Sequence, residues 1–186
     1  MSDSADQCAP AAMAQLAIVG EARKLGVDTL YSEKGHFAAA ASWRKWNYFL
    51  GIPSAALSAI AGGSILNDKA GLVTGLVALL ASALIALSTF LNPSERESQH
   101  QRAGVSYGRL RRLIRQFVQI DPFLPQSEDA LRARLDELTE NVSNLQAEAP
   151  AIPAYAYRAA IKEIEVGASD YTESELDSAT GPRRTS

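Results

Sequence analysis

Residues 48–66 read YFLGIPSAALSAIAGGSIL and residues 70–91 read AGLVTGLVALLASALIALSTFL, and neither stretch contains Asp, Glu, Lys or Arg. As a helix of about 20 residues that rises about 1.5 Å per residue, each would cover roughly 30 Å, the thickness of a bilayer's hydrocarbon core. Only Asn67, Asp68 and Lys69 separate the two stretches. The pattern predicts an all-α protein built as a two-span transmembrane helical hairpin with N- and C-terminal cytoplasmic helices.

The flanks of the two stretches favour a membrane over the alternative, the buried centre of a soluble helical bundle. A soluble core helix normally keeps a polar stripe, and neither stretch has one. Side chains that suit the headgroup region stand at the ends: Trp43, Arg44, Lys45 and Trp46 before the first stretch, and Phe90 near the end of the second. We predict that these five residues anchor the protein at the membrane interface.

Positive side chains are concentrated on one side of the hairpin. Arg44 and Lys45 precede the first stretch, and the second is followed by Arg96, Arg102, Arg109, Arg111, Arg112 and Arg115. The connection offers only Lys69. By the positive-inside rule, both termini are therefore expected to be cytoplasmic. The net charge is −3, and 13 of the 21 acidic residues lie beyond residue 120, so the cationic part of the chain is the part near the membrane.

Small residues recur every four positions in both stretches, which lets helices approach closely inside a bilayer. The rows comprise Gly51, Ser54, Ala55, Ser58, Ala59, Gly62, Gly63, Gly71, Thr74, Gly75, Ala78 and Ser82. They could simply join the two helices of one hairpin. Because each stretch carries two rows, which is more than one hairpin needs, we predict helix packing between subunits of a homo-oligomer. The hydroxyl side chains among them are candidates for a pore lining.

Breaks in the pattern divide the chain into four predicted segments. Gly26 is expected to end a helix over 11–25, and Asp28 to cap a helix over 28–46 that continues into the first span. Pro53 is expected to loosen or kink that span. The segments are a cytoplasmic segment with a short helix at 1–27, the membrane hairpin core with flanking helices at 28–120, C-terminal cytoplasmic helices at 121–166 and a disordered acidic tail at 167–186.

An amphipathic helix is predicted directly after the second span. Asn92 and Pro93 suit an N-cap and a first-turn proline, and the helix should reach about Ile120. Its apolar side chains keep helical spacing: Leu110, Leu113, Ile114, Phe117 and Val118. The opposite face carries Arg109, Arg111, Arg112 and Arg115. We expect this basic face to contact lipid, with a site for a phosphate-bearing ligand as the alternative.

A heptad pattern follows in the C-terminal part. Ser127 is the predicted N-cap of a helix in which Leu131, Leu135, Leu138, Val142 and Leu145 recur at spacings of four and three. The pattern could pack on the subunit's own helices, which we favour, or pair with a partner. A short helix is expected from about 154 to 166.

Side chains for catalysis or metal binding are sparse. The histidines, His36 and His100, stand far apart in the sequence, and neither belongs to a spaced metal or triad pattern. Glu33 lies one turn before His36, a spacing that is typical of a surface contact. The single Cys8 rules out an intramolecular disulfide. We therefore expect no enzymatic activity, no cofactor, no metal and no nucleic-acid partner.

The layout resembles a known family. The approach segment YSEKGHFAAAASWRKW at residues 31–46, two spans rich in small residues, a minimal connection and a basic amphipathic helix are similar to the SLATT family. These are two-helix membrane effectors associated with SMODS nucleotidyltransferases and SLOG sensor domains in bacterial conflict systems. The resemblance covers roughly residues 20–166. It implies a pore-forming or membrane-disrupting effector of the bacterial inner membrane, triggered by a nucleotide-signalling or sensor partner. The alternative is a membrane scaffold that presents its cytoplasmic helices to a partner protein.

Overall fold

The computed structural model describes residues 3–66, 71–167 and 171–180, and these residues form helices joined by short connections. The helices are α1 (Asp3–Leu66), α2 (Leu72–Leu91), α3 (Pro93–Gln119), α4 (Glu128–Glu148), α5 (Ala154–Glu165) and α6 (Glu173–Thr180), with a 3-10 turn at Asp121–Phe123. No strand occurs in these ranges, which confirms the all-α prediction. The predicted hairpin connection at 67–69 lies outside the described residues.

Helix α1 is continuous where the sequence predicted a break. It runs through Gly26 and Asp28, so the predicted break at Gly26 and the predicted cap at Asp28 were wrong. The helix also continues through Pro53. A glycine within a helix costs only about 1 kcal/mol, and packing against other helices outweighs such a preference. Gly26 lies against α3, because a Cβ atom built there would be 3.4 Å from Cγ2 of Ile114.

Helices α1 and α3 are antiparallel neighbours. Gly26 lies against Ile114, Gly104 against Phe37, and Arg44 against Glu97, so contacts advance along one helix as they recede along the other. Helix α2 also packs on α1. We call α1 one arm of the structure, and α2 followed by α3 the other.

A narrow seam of less exposed residues runs along α2 and residues 50–61 of α1. Leu50, Ser54 and Ala61 are buried and Leu57 is half-buried on α1; on α2, Ala81 is buried and Val77, Leu84 and Ser88 are half-buried. Both sets are spaced four, three and four residues apart, as in a coiled coil. The remaining faces of both helices are largely exposed.

The apolar core forms where α4 covers the groove between α1 and α3. Leu131, Leu135, Leu138 and Val142 are buried there against Ile18, Ala22, Ile114 and Phe117. The heptad pattern therefore packs on the subunit's own helices, as predicted. The apolar set of α3 is confirmed as well, because Ile114 and Phe117 are each 1% exposed and Leu110, Leu113 and Val118 pack beside them.

The helix ends follow local sequence chemistry. The Ser127 hydroxyl accepts a hydrogen bond from the Ala130 amide at 3.2 Å, which confirms the predicted N-cap of α4. Asn92 occupies the predicted N-cap position of α3 and Pro93 the first turn, but the Asn92 side chain makes no capping hydrogen bond. Asn92 instead adopts the left-handed conformation, with φ of 44° and ψ of 55°.

Helix α6 corrects the prediction that the acidic tail is disordered throughout. Residues Glu173–Thr180 are helical. The Thr172 amide donates to the Glu175 carboxylate at 2.8 Å, and the Glu175 amide donates to the Thr172 hydroxyl at 3.3 Å. These reciprocal bonds form a capping box. The sequence signal was Thr172 followed three residues later by glutamate.

Candidate functional site

The predicted small-residue rows lie mostly on the outer faces of α1 and α2. Only Ser54 is buried in the seam; Gly51, Gly63, Thr74 and Ala78 are half-buried. The other members are exposed: Ala55, Ser58, Ala59, Gly62, Gly71, Gly75 and Ser82. The rows therefore do not all face the partner helix of the same hairpin.

The glycines in these rows make no close approach within the subunit. Among the described residues, a Cβ atom built at Gly51, Gly62, Gly71 or Gly75 would have no neighbouring atom within 4 Å. These four glycines therefore show no close contact between α1 and α2 within the described part of the chain. The seam combines larger side chains, such as Leu50 and Leu57, with small ones, such as Ser54, Ala61 and Ala81.

Close glycine contacts occur on α3, at a pair that the sequence analysis missed. A Cβ atom at Gly104 would lie 3.0 Å from the Phe37 ring, and one at Gly108 would lie 2.9 Å from Oε1 of Glu33. The two glycines are four residues apart, so they form the same small-residue spacing that was noted in the spans. It lets α1 and α3 approach closely around a cluster of polar side chains.

The predicted interface anchors separate into two groups. Trp43 lies under the Arg96 guanidinium at 5.0 Å, and Arg44 pairs with Glu97 at 3.2 Å, so both connect α1 to α3. Lys45 and Trp46 are exposed, and the Trp46 ring meets Phe49 edge-on at 5.7 Å. Phe90 is 85% exposed at the corresponding end of α2.

The predicted basic face of α3 is reduced to three arginines. Arg109, Arg112 and Arg115 are exposed, and Arg115 lies over the Tyr171 ring at 5.6 Å. Arg111 is half-buried and donates to the Glu33 carboxylate at 2.6 Å, so it belongs to the α1–α3 contact. Arg109 lies about 24 Å along α3 from the first turn, at about 1.5 Å per residue. The face is therefore remote from the end of α2.

The histidines, which are far apart in sequence, meet between α1 and α3. Nδ1 of His36 lies 3.0 Å from Nδ1 of His100, and the two side chains are 1% and 5% exposed. The Tyr107 ring stacks on His36 with a centroid distance of 5.4 Å and an interplanar angle of 17°. We call His36 and His100 the histidine pair.

Further polar groups surround the histidine pair. Glu33, one turn before His36, is buried and receives Arg111, which corrects the expectation of a surface contact. Tyr107 is hydrogen-bonded to Ser32. Thr29 is fully buried and donates to the carbonyls of its own helix. A layer of paired polar groups thus extends between α1 and α3, directly above the apolar core.

Burial keeps the histidine pair neutral. Desolvation, together with the charge that His100 would carry, lowers the pKa of His36 from 6.5 to about 4. Desolvation and then the neighbouring Arg96 also lower the pKa of His100. Burial raises the pKa of Tyr107, although its hydrogen bond to Ser32 opposes the rise. Near neutral pH, one imidazole Nδ1–H therefore donates to the Nδ1 lone pair of the other.

The chemistry available to this cluster is proton binding. Within the described residues, no group of three or more His, Cys, Asp or Glu side chains is placed to hold a metal ion. Two imidazoles and a carboxylate already bound to arginine offer no obvious nucleophile. The signal for the pair was the hairpin itself, since folding the chain back between the two apolar stretches brings residues near 36 and near 100 to the same level.

The part of the structure described here contains one helix long and apolar enough to cross a membrane. The stretch Leu72–Phe123 includes an 18-residue window with a mean hydropathy of 2.2, of which 6% is buried. Comparison with known proteins gives no further guide, because no protein-family model, curated protein or solved structure matches the chain.

Proposed function

We propose that this protein is an oligomeric membrane effector that spans a bacterial inner membrane twice and makes it leaky when activated. In this proposal the end of α1 and the whole of α2 are the spans, and both termini are cytoplasmic. The resemblance to SLATT effectors suggests an anti-phage role and a trigger from a nucleotide-signalling or sensor partner.

The observation that carries the proposal is the apolar outer surface of α1 and α2. Ile52 is 66% exposed, Ile60 59%, Leu72 82% and Leu79 68%. Contiguous apolar surface of this kind is unfavourable in water, at about 25 cal/mol for each Å². A bilayer removes that cost. The exposed aromatic rings of Trp46, Phe49 and Phe90 stand at the level where headgroups would lie.

The open space beside the span glycines supports subunit contacts. In lipid, helices associate through close packing at small residues, because no hydrophobic force drives them together. Gly51, Gly62 and Gly75 offer such surfaces and do not use them within the subunit. The exposed hydroxyls of Ser58 and Ser82 could then line a lumen that contains no charged side chain.

The scaffold alternative is favoured by a different surface. At the connection between α3 and α4, Phe123 is 83% exposed, Leu124 53% and Ile120 50%. These side chains lie at the cytoplasmic end of the molecule, away from α2, and Gln15 ties the connection to α1 through the Pro122 carbonyl at 2.7 Å. In the scaffold alternative this exposed apolar surface is the site where a protein partner binds.

If subunits pack closely, larger side chains on the outer faces of α1 and α2 should prevent both self-association and membrane leakage. Gly75→Leu and Ala59→Leu should weaken self-association in detergent by about 1–2 kcal/mol per contact, because a large side chain forces helices apart. Expression of the unaltered protein should collapse the membrane potential before growth stops, and both variants should insert normally yet spare the potential. Sedimentation and a potential-sensitive dye measure the two effects.

Ala133→Leu is the matched control, because Ala133 is exposed on α4, outside the proposed membrane region. It should leave association and leakage unchanged. Growth arrest with the potential intact would refute the pore and favour the scaffold.

The topology proposal predicts which cysteines can be labelled from outside intact cells. In a Cys8→Ser background, a membrane-impermeant maleimide should label Asp68→Cys and should not label Gln101→Cys or Ser143→Cys until the membrane is opened. The reason is the excess of arginine after the second span. Labelling of Ser143→Cys in intact cells would reverse the orientation.

A further inference from the structure

The histidine pair occupies the level between the proposed spans and the apolar core. Along α1, His36 lies about 18 Å before residue 48, and along α3, His100 lies about 12 Å after Asn92, at about 1.5 Å per residue. The pair is the buried polar contact between the two arms nearest to α2, since Glu33 and Arg111 lie further towards the core. Separation of α1 from α3 at this level would therefore displace the adjoining end of α1 and helix α2.

Charged side chains of several elements lie around the histidine pair. On α1, Glu33 is neutralised by Arg111 and Arg44 by Glu97. On α3, Arg96 is the cation that acts on His100, and its guanidinium lies over Trp43. The 149–153 connection, which packs on Gly35 through Ile152, has no titratable side chain. On α5, Glu163 pairs with Lys34. The carboxylates of Glu33, Glu97 and Glu163 are thus each already paired with a cation, and the Glu148 carboxylate of α4 lies in the groove that Arg102 also lines.

We propose that the histidine pair is a proton-sensitive contact that holds α1 against α3 while both imidazoles are neutral and releases the two helices when the cytoplasm becomes acidic. The contact itself does not depend on the proposed function; only its consequence, a change in the membrane hairpin, rests on it.

The hydrogen bond explains why protonation separates the helices. With both rings neutral, one Nδ1–H donates and the other Nδ1 accepts. When both rings are protonated, two donors face each other at 3.0 Å and the bond is lost. Even the first added proton places a charge in a site with almost no access to water and with Arg96 nearby. Opening exposes the imidazoles to water, where their charged forms are favoured.

The sign and range of the effect follow from linkage. The pKa of His36 is about 4 in the folded protein against 6.5 for an ordinary histidine, so the opened form binds more protons between these values. The closed form is therefore favoured above about pH 6.5 and loses its advantage as the pH falls towards 4. For one proton, the equilibrium constant for opening should rise up to about tenfold for each pH unit.

Spin-label distances on the full chain in detergent test this inference. In a Cys8→Ser background, Lys45→Cys with Gln101→Cys reports the separation of α1 and α3 near the histidine pair. Lys24→Cys with Gln116→Cys reports the same two helices at the apolar core, and all four positions are exposed. Between pH 7.5 and pH 5, the first pair should gain a population at longer distance, and the second pair should not change.

Replacement of both histidines is the decisive change, because two amides can keep a hydrogen bond between the helices and neither gains a proton in this pH range. The double variant His36→Asn with His100→Asn should keep the short distance at every pH. Each single variant retains one titratable imidazole and should respond to pH less steeply than the unaltered protein. An equal pH response in the asparagine variants, or none in the unaltered protein down to pH 4.5, would overturn the inference.

Leakage from liposomes containing the same proteins separates this inference from the proposed function. Helices that separate at low pH in vesicles that stay sealed would contradict the pore and leave the contact intact. Vesicles that leak without any pH-dependent separation would contradict the contact and leave the pore intact.

Discussion

Arg111→Met should loosen the contact between α1 and α3 by about 3 kcal/mol. Arg111 pairs with Glu33 at 2.6 Å, and the side chains are only 22% and 12% exposed, so its removal leaves a largely buried carboxylate without its cation. Amide hydrogen exchange in α3 should accelerate about a hundredfold, because a factor of ten corresponds to about 1.4 kcal/mol of local opening free energy.

The matched control replaces both partners. Glu33→Gln combined with Arg111→Met leaves no unpaired charge and should cost much less than the single Arg111→Met change. If the single and double variants exchange at the same rate, the Glu33 carboxylate is solvated and its pairing with arginine does not stabilise the bundle.

Gly104→Leu should destabilise the same contact by about 2 kcal/mol. Even a Cβ atom would lie 3.0 Å from the Phe37 ring, so a leucine must push α1 and α3 apart or displace the ring. The melting temperature of the α1–α3 contact, followed by circular dichroism in detergent, should fall accordingly.

Gly20→Leu provides the comparison, because a Cβ atom at Gly20 would have no neighbour within 4 Å. This variant should melt at the same or a slightly higher temperature, since leucine favours a helix by about 0.8 kcal/mol over glycine. Similar destabilisation by both variants would show that the Gly104 result reflects leucine in a helix and not the close contact.

Patterns with a single period were predictable from the sequence. The buried faces of α3 and α4 followed directly from Ile114, Phe117, Leu131 and Leu138, because amphipathic spacing records which side of a helix is covered. The N-cap at Ser127 followed from its local hydrogen-bonding chemistry.

Features that depend on the register between two helices were not predictable in this way. His36 and His100 carry no spacing signal, and their contact follows only once the two arms are aligned. Gly26 was read as a helix break because its local preference opposes a helix, whereas in the fold it lies within a continuous helix beside Ile114 of α3. Gly104 and Gly108 likewise carry no local signal, because their close contacts are with Phe37 and Glu33 on another helix.

The left-handed residue at Asn92 makes the two arms of the structure mechanically unequal. It is the sole non-glycine residue with positive φ in the described ranges, and it separates α2 from α3, whereas α1 passes the same level without interruption. The helical hydrogen-bond ladder is therefore unbroken along α1, whereas the other arm changes direction at Asn92. A displacement of α4 and α5 against α1 would be transmitted along α1 as a tilt of one continuous rod, and any change in the angle between α2 and α3 is expected at Asn92.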